Sequence, residues 1–592
     1  MARLVLGPLL RYVGEHDAVV WVETDEPCEV EVLGNRAHTF QLRRHHYALV
    51  CVEDLEPGRS YEYEVLLDGE RRWPLPDLDA PPSRIRTIDP EAPLRIAFGS
   101  CRVSMPHEPP FTSSKDEDEH GFEFDALYVL ARELVRGTRP HWPDALILLG
   151  DQVYVDEGSP VTRAKIRWRR DTTTPPFEEA GTFEEYTWLY HESWGDPLIR
   201  WLLSTVSTSM VWDDHDMHDD WNISREWVEE IRQEEWWESR VIGGIMSYWI
   251  YQHLGNLSPR ELEDNAVWRR IQGVDDATGV LQEFAERTHP TGEGTRWSHS
   301  RDLGRTRLIV MDSRAGRVLD EKRRSIFDEH EWEWINDHVQ GDFDHLLLAT
   351  SDPFLLMPAM HHVEAWNERV CDGVWGHRAA KLGERLRRRM DLDHWAAFRT
   401  SFERLSKLLE EVGSGRRGEP PASIVVLSGD VHHAYLAEIT FRQAGVRSAA
   451  YQAVCSPFRN PLDKRERAVV KASKVRPLER LTRSLARSAG VPHPPIRWRI
   501  CEGPFFDNQV ASLLIDGREA TMQLDKTKAG EHHETTLERT FERRLTNSGA
   551  GGQSRPPGDD QRRDAQLDDE EGALERVGPR DRAPAARARE SD

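Results

Sequence analysis

The stretch that decides the fold is Ala145-Leu-Ile-Leu-Leu-Gly-Asp-Gln-Val-Tyr-Val-Asp156. Its first five residues are all apolar, so they lack the alternation of apolar and polar residues that marks a strand with one solvent-exposed face. They therefore predict a strand that is buried on both faces of a sheet. The chain then turns polar at Gly150-Asp151, where such a strand ends in a loop. Strands of this kind are typical of an α/β sheet whose faces are covered by helices.

Three further apolar runs end in the same way. The polar loops that follow them are Phe98-Gly-Ser-Cys-Arg102, Trp212-Asp-Asp-His-Asp216 and Ser428-Gly-Asp-Val-His-His433. Because loops at the carboxyl ends of strands form the ligand crevice of open α/β sheets, the four loops are predicted to converge. Convergence would bring carboxylates, imidazoles, a thiol and a phenol into one site.

Other apolar runs predict more strands of the same sheet system, at Leu308–Met311, Leu346–Ala349 and Ala449–Val454. The first two lead into Asp312-Ser-Arg314 and Ser351-Asp-Pro353, to which the sequence alone gives no role. Helical stretches lie between the runs. We therefore expect the fold class to be α/β.

The donor types in the four loops indicate metal chemistry. Carboxylates suit Ca²⁺, Mg²⁺ or Mn²⁺, whereas imidazole, thiolate and phenolate donors suit an iron-type or zinc-type ion. A mixed set favours two unlike ions side by side that share one bridging carboxylate. Each loop taken alone has a plainer interpretation, because Gly-Asp after a strand is usually a turn and a lone Cys is usually a small buried thiol.

Taken together, the four loops resemble the PhoD-like alkaline phosphatases of the calcineurin-like metallophosphoesterase superfamily. The resemblance covers roughly Leu94 to Leu524, and it is specific because all four motifs occur in the family's order. It implies a four-layer α/β/β/α domain that hydrolyses phosphomonoesters or phosphodiesters by means of metal-bound hydroxide. It also implies iron plus calcium as the ions. The expected cytosolic location is a departure from the family, and a reducing, calcium-poor cytosol would instead favour Fe²⁺, Mn²⁺ or Mg²⁺.

The resemblance also implies roles for individual residues. The implied metal ligands are Cys101, Asp151, Tyr154, Asp214, Asp430 and His432. Asp151 would bridge the two ions, and Tyr154 would be a phenolate ligand of ferric iron. His215 would contact phosphate or protonate the leaving group. Arg102 is a further catalytic candidate, as a phosphate clamp, which we infer from its position and not from the family.

Two alternatives remain open at this point. One is a non-catalytic module that binds a phosphate ligand or a protein on a metallophosphatase scaffold. The other is a phosphodiesterase for nucleotides or lipid head groups, with aromatic residues such as Trp236-Trp237 and Tyr248-Trp249 shaping the pocket. The family's third motif often continues with Asn-Asn, where this chain has Asp219-Asp220. The extra carboxylates leave two possibilities open: a different ion at the second metal position, or an additional cation beside it.

The chain is expected to have three parts. Residues 1–88 carry short, Val-rich and Tyr-rich alternating runs that predict an N-terminal β-sandwich. Residues 92–525 are predicted to form the metallophosphatase domain, with a Trp-rich helical insertion at about 222–300. Residues 526–592 are rich in charge, Gly, Ser and Pro and are predicted to be a disordered tail.

Composition limits the partners. The 592 residues include 78 Lys+Arg and 103 Asp+Glu, a net charge of −25. An acidic chain has no general electrostatic reason to bind nucleic acid or an anionic membrane, although it can still carry a local basic patch. The expected partner is a small phosphoester substrate. No apolar run reaches membrane-spanning length and no signal sequence is evident, so we expect a cytoplasmic protein. The six cysteines are sparse and are expected to stay reduced.

Overall fold

The structure is a computed structural model that describes residues 1–289, 296–529 and 535–546. The first part of the chain is rich in β-structure, as predicted. Its strands are β1 (Leu4–Val13), β2 (Ala18–Thr24), β3 (Glu29–Val32), β4 (Asn35–His38), β5 (Phe40–Leu42), β6 (His45–Val52), β7 (Ser60–Glu62), β8 (Val65–Leu67), β9 (Glu70–Trp73) and β10 (Arg84–Arg86). They form sheets in the orders β1-β2-β6-β5 and β4-β3-β8-β9, and β10 pairs with β7.

The N-terminal sheets pack directly on the chain that follows. Arg11 of β1 is fully buried and donates hydrogen bonds to the main-chain oxygens of Tyr251 and Gln252 at 2.5 and 2.7 Å. Glu23 of β2 is equally buried, and its carboxylate lies 2.9 Å from Nε2 of His191. Because a buried charge is stable only when it is paired or hydrogen-bonded, these contacts fix the N-terminal region to the helices that follow.

Two larger sheets hold the remaining strands. These are β11 (Leu94–Gly99), β12 (Ala145–Leu149), β13 (Ser207–Val211), β14 (His299–Leu303), β15 (Thr306–Met311), β16 (His345–Thr350), β17 (Ser423–Ser428), β18 (Ala434–Phe441), β19 (Ala449–Val454), β20 (Ile496–Phe505), β21 (Gln509–Asp516), β22 (Glu519–Ala529) and β23 (Thr535–Arg544). Within the described ranges one sheet has the order β13-β12-β11-β21-β22-β23 and the other β14-β15-β16-β17-β19-β18-β20.

The central strands of each sheet run parallel to one another. Strands β11, β12 and β13 are parallel in the first sheet, and β15, β16, β17 and β19 are parallel in the second. Every residue of β12, β13 and β17 is buried, which explains their unbroken runs of uncharged residues. Ile147 of one sheet and Val425 of the other belong to the same hydrophobic core.

Helices connect the strands. They are α1 (Ala126–Val135), α2 (Pro160–Arg169), α3 (Phe183–Trp194), α4 (Pro197–Thr205), α5 (Arg225–Ile231), α6 (Trp237–Ser247), α7 (Pro259–Asp264), α8 (Ala266–Ile271), α9 (Thr278–Thr288), α10 (Glu329–His338), α11 (Pro358–Cys371), α12 (His377–Arg389), α13 (Arg399–Gly413), α14 (Lys464–Ser473) and α15 (Arg476–Ser488). A π-helical turn, Tyr248–His253, continues α6. None of the helices in the described part of the chain combines the length and the apolar character needed to cross a bilayer.

The predicted boundary of the disordered tail, residue 526, lies too early in the chain. Strand β22 runs through Lys526, and β23 pairs antiparallel with it at the edge of the sheet. The exposed faces of both strands are charged, which hid the strand pattern in the sequence. Phe541 nevertheless packs on the core, and Leu545 is fully buried. The rest of the predicted tail, 530–534 and 547–592, lies outside the described residues.

Candidate metal centre

The loops that follow the parallel strands of both sheets meet in one place. Main-chain hydrogen bonds join them, from the nitrogen of Phe458 to the oxygen of Ser100 at 2.8 Å and from Gly429 to Ser351 at 2.9 Å. These bonds connect the loops after β19 and β11, and the loops after β17 and β16. The carboxyl ends of the strands therefore form a single crevice, as expected for parallel sheets.

The first ligand group consists of Cys101, Asp151 and His432. One donor atom from each residue, a sulfur, a carboxylate oxygen and a ring nitrogen, lies within 4.8 Å of the other two. The hydroxyl of Tyr154 donates to Oδ2 of Asp151 at 3.1 Å and accepts from Nδ2 of Asn460 at 3.3 Å. The structure thus brings thiol, imidazole, carboxylate and phenol donors to one point from three loops, those after β11, β12 and β17.

A second group shares a member with the first. Donor atoms of Asp151, Asp214 and His215 also lie within 4.8 Å of one another. Nδ1 of His215 is 2.9 Å from Oδ2 of Asp156, and the His215 ring lies against the ring of Tyr154 with 4.4 Å between centroids. Asp151 therefore stands between two sets of donors.

A third group surrounds a buried arginine. Asp213, Asp352 and Asp430 place carboxylate oxygens within 4.8 Å of one another. The Arg314 guanidinium contacts Asp213 through Nε, Asp393 through Nη1 at 2.6 Å and Asp352 through Nη2 at 3.0 Å. Because Asp213 follows β13 and Arg314 follows β15, this cluster ties the two sheets together at the site.

The backbone at the site is held in an unfavourable conformation. Cys101, Asp151, Asp430 and His432 all have left-handed backbone angles, with φ of 56°, 52°, 65° and 51°. This conformation costs on the order of 1–3 kcal/mol for a non-glycine residue and persists where the surroundings impose it, most often at functional sites. Four ligand candidates in this state indicate that the loops are shaped to aim these side chains.

Glycine is required at two positions beside the ligands. Gly150 has φ of +107°, and a Cβ there would lie 2.6 Å from the Cβ of Asp213. A Cβ on Gly429 would lie 2.0 Å from Oγ of Ser100. Both glycines therefore let neighbouring strand-end loops approach each other closely.

The site concentrates negative charge. Burial raises the pKa of Asp151 well above its ordinary value, and the carboxylates of Asp214 and Asp430 raise it further, although His215 acts in the opposite direction. Burial, together with the charges of Asp151 and Asp430, also holds the pKa of the Cys101 thiol well above its usual range. A cation at this point would favour the charged forms of these groups.

Several carboxylate oxygens of the site accept no hydrogen bond. Among the described residues, these are the buried oxygens Oδ1 of Asp151, Oδ2 of Asp213 and Oδ1 of Asp214, the last of which lies 3.6 Å from Nη2 of Arg314. Buried carboxylate oxygens are normally paired or bound to metal. Burial, followed by the charge of Lys115, lowers the pKa of His432 to about 3, so that imidazole is neutral and able to ligate. The donor set therefore fits metal ions.

Arg102 does not lie where the sequence suggested. Its guanidinium pairs with Asp125 at 2.8 Å and donates to the main-chain oxygen of Ser193 at 2.5 Å. Asp125 caps the N-terminus of α1. These buried contacts use the guanidinium to fasten α1 to the strand-end loop, and they give no support to the prediction of a phosphate clamp.

Sequence reasoning missed several residues of the site. Arg314 and Asp352 lie in the two strand-end motifs that received no role, although their position after β15 and β16 was the available signal. His394 lies on a loop between α12 and α13, where no strand end points to it. Its Nε2 is 2.9 Å from Oδ2 of Asp430, and its Nδ1 is 2.7 Å from Oε1 of Glu364. A carboxylate–histidine–carboxylate chain of this kind orients a metal ligand.

The aromatic residues of the Trp-rich stretch are mostly core. Trp237, Tyr248 and Trp249 are buried. Trp236 is partly exposed, and the guanidinium of Arg240 lies over its ring, 4.4 Å from the centroid. These four rings therefore give no support to the idea that they stack on a substrate.

Known protein families match both the N-terminal β-rich region and the larger region that follows it. Residues 120–484 match the family of PhoD-like phosphatases, and residues 1–85 match a domain of unknown function, DUF7800. The solved structure of PhoD aligns with a TM-score of 0.54 and 14% identity, covering 97% of this chain and 98% of that chain, which shows a shared fold. A maltogenic amylase from S.marinus aligns with a TM-score of 0.14 and 9% identity, covering 88% of this chain and 76% of that chain. This similarity is too low to indicate a shared fold. No curated protein matches the chain.

Proposed function

The chain belongs to the PhoD-like phosphatase family, and we propose that it is a metal-dependent phosphoester hydrolase with a two-metal centre. The observation that carries the proposal is the position of Asp151, which belongs to the Cys101–Asp151–His432 group and also lies within 4.8 Å of a carboxylate oxygen of Asp214, with the proposed proton donor His215 beside them. A carboxylate shared by two donor groups is what a pair of ions ~3.5–4 Å apart requires. The unpartnered Oδ1 of Asp151 adds to this support.

The proposed ligands divide by chemistry. Cys101, Tyr154 and His432 supply the thiolate, phenolate and imidazole donors that suit iron, whereas Asp214 and Asp430 supply carboxylates that suit calcium, manganese or magnesium. Asp151 would serve both ions. When bound, the ions would polarise the phosphoryl group and lower the pKa of a coordinated water.

His215 is proposed to act on the leaving group. Asp156 lies 2.9 Å from Nδ1 and fixes the ring, which leaves Nε2 to meet the substrate. Asp219, where the family often has Asn, lies 3.7 Å from that Nε2. The extra carboxylate thus sits beside the proposed proton donor of this chain.

We propose that Lys115 contacts the phosphoryl group in place of Arg102. Its ammonium donates to Oδ1 of Asn460 at 3.1 Å, and Nδ2 of Asn460 donates to the Tyr154 hydroxyl. Tyr154 in turn donates to Asp151, so three hydrogen bonds connect Lys115 with the proposed bridging carboxylate. A flexible ammonium that is linked to the proposed centre in this way is suited to stabilise the negative charge that develops on the phosphoryl group.

The proposed architecture follows the family. The two larger sheets would form the middle layers of an α/β/β/α arrangement. Support comes from the core that Ile147 and Val425 share and from a separate core in which Leu409 of α13 packs with Ile424 of β17.

The proposal is tested by hydrolysis of a chromogenic phosphodiester and a chromogenic phosphomonoester. The purified protein receives Ca²⁺, Mn²⁺ or Fe²⁺, singly and in pairs. We expect metal-dependent turnover in the wild type and a loss of at least about 1000-fold in Asp151→Asn, because losing a bridging ligand disturbs both ions. Asp264→Asn, at an exposed position at the end of α7, is the matched control and should keep full activity.

Two results would contradict the proposal. One is Asp151→Asn turning over substrate as fast as Asp264→Asn. The other is a folded, metal-loaded wild type that hydrolyses neither ester, which would favour the binding-module alternative.

A further inference from the structure

The helices α14 and α15 carry an unusual charge. Residues 464–487 contain nine Lys or Arg and two Glu, a net charge of +7, in a chain whose net charge is −25. Lys464, Arg465, Lys471, Arg476 and Arg480 are exposed. Positive charge is therefore concentrated on one pair of neighbouring helices.

The same helices expose their large apolar residues. Helix α15 buries the small side chains Thr482 and Ala486, whereas Leu481 is 66% exposed and Leu478 is 36% exposed. Helix α14 leaves Val469 59% exposed. A helix that rests on a protein normally buries its leucines, so this arrangement turns the larger apolar face outward.

The apolar surface continues beyond α15. Nε1 of Trp375 donates to the main-chain oxygen of Ser488 at 3.4 Å, which places Trp375 at the end of α15. Trp375 is 44% exposed and its neighbour Val374 is 43% exposed. We name the residues of α14 and α15 together with Val374 and Trp375 the α14–α15 surface.

We propose that the α14–α15 surface docks the protein on an anionic lipid bilayer. Lys and Arg interspersed with outward-facing Leu and Val on helices at the protein surface, with an exposed Trp beside them, are features of an interfacial membrane site. Each basic residue near an anionic surface adds attraction, and the apolar side chains enter the boundary between head groups and acyl chains. An acidic protein partner would match the cations but would leave the outward leucines unexplained.

The surface adjoins the proposed active site. Helix α14 begins four residues after Asn460, and Lys464 lies 3.5 Å from Asp116 on the loop that carries Lys115. Docking would therefore bring this loop close to the bilayer. The proposal concerns attachment and does not depend on turnover, so it can fail while the hydrolase proposal stands.

Vesicle flotation of the full chain tests the proposal. Vesicles of phosphatidylcholine alone are compared with vesicles that contain about 30% phosphatidylserine, at low and high salt. We expect binding only to the anionic vesicles and release at high salt, because surface charges are screened. Arg465→Glu/Arg480→Glu, at exposed positions, should weaken partitioning by roughly 25-fold or more, since each basic residue contributes about a factor of five.

Two further variants separate the contributions. Leu478→Gln/Leu481→Gln should also weaken binding, although the net charge is unchanged. Arg260→Glu/Arg287→Glu, at exposed positions of the helical insertion, makes the same charge change elsewhere and should bind like the wild type. Melting curves check that all variants are folded.

Three outcomes would overturn the proposal. The first is a wild type that does not bind anionic vesicles. The second is binding that the α14–α15 variants do not weaken more than the Arg260→Glu/Arg287→Glu control. The third is a surface occupied by something else, shown by self-association in light scattering or by binding to an acidic polypeptide without binding to vesicles.

Discussion

At the scale of single residues, Arg314 holds the carboxylates of the site together. Its side chain is 2% exposed and contacts Asp213, Asp352 and Asp393. Arg317 also pairs with Asp352 and Asp393, at 3.0 and 2.7 Å, so Arg314→Met would chiefly leave the buried Asp213 without a cation. Because breaking a buried ion pair strands a charge, we expect the free energy of unfolding to fall by about 3–5 kcal/mol. Urea unfolding of the metal-free protein measures this change.

The control is an ion pair whose arginine is half exposed and whose carboxylate, Asp344, keeps a second partner in Arg518 at 2.6 Å. Arg305 pairs with Asp344 at 2.5 Å, but its side chain is 52% exposed. Arg305→Met should therefore cost about 0–1 kcal/mol. Equal losses in the two variants would show that Arg314 does not compensate buried charge.

Lys115 gives a prediction about substrate binding. If its ammonium contacts the phosphoryl group, Lys115→Met should raise KM about 10-fold or more while the unfolding free energy stays near the wild-type value. Lys407, an exposed lysine on α13, is the matched control. An unchanged KM in Lys115→Met would remove this residue from the site.

The sequence predicted which side chains gather at the site better than it predicted where each one points. Asp151, Cys101 and His432 follow strands, and the strand ends fixed their location. Arg102 also follows a strand, yet its long side chain reaches back to Asp125 of α1. A contact of this kind depends on tertiary packing, which a strand-end motif does not encode.

At the scale of elements, a partly buried network ties the N-terminal strands to α3. His45 of β6 lies between Glu23 of β2 and Glu184 of α3, with Nδ1 2.7 Å from Glu23 and Nε2 3.4 Å from Glu184. Burial lowers the pKa of His45, but hydrogen bonds to Glu184 and Glu23 outweigh it and raise the pKa to about 9. His45 is therefore charged at neutral pH.

This network predicts a loss of stability in alkali. A raised pKa means that the stabilisation is complete below the ordinary value of 6.5 and is lost as the pH rises through about 9. The effect amounts to at most roughly 3 kcal/mol. Urea unfolding at pH 6.5 and 9.5 should show a smaller drop in Glu184→Gln than in the wild type.

Glu64→Gln, at an exposed position of the N-terminal region, serves as the control and should keep the wild-type drop. The same drop in Glu184→Gln and in the wild type would mean that His45 does not contribute in this pH range.

Elements were predictable where burial shaped their composition. Strand β12 is buried at every residue and was evident as an apolar run. Strand β23 lies at a sheet edge with charged residues on its open face, so its composition resembled that of a solvated tail. Edge strands often carry such charges because these prevent pairing with other chains.

At the scale of the whole molecule, the order of the strands determines which loops meet at the site. The order in the second sheet, β14-β15-β16-β17-β19-β18-β20, does not follow the chain, and β21 returns from a distant part of the chain to pair with β11. Local patterns in the sequence cannot supply such long-range pairings. They indicated that polar loops would gather at strand ends, but not that Arg314 would join the two sheets.

The metal content of the protein tests the central claim most directly. Mass spectrometry of purified, metal-reconstituted chains would count the bound ions in the wild type, in Asp151→Asn and in the exposed control Asp264→Asn. We predict about two ions per chain in the wild type and in the control, and at most about one in Asp151→Asn, because the bridging carboxylate serves both ions. Equal metal content in all three proteins would contradict a centre bridged by Asp151.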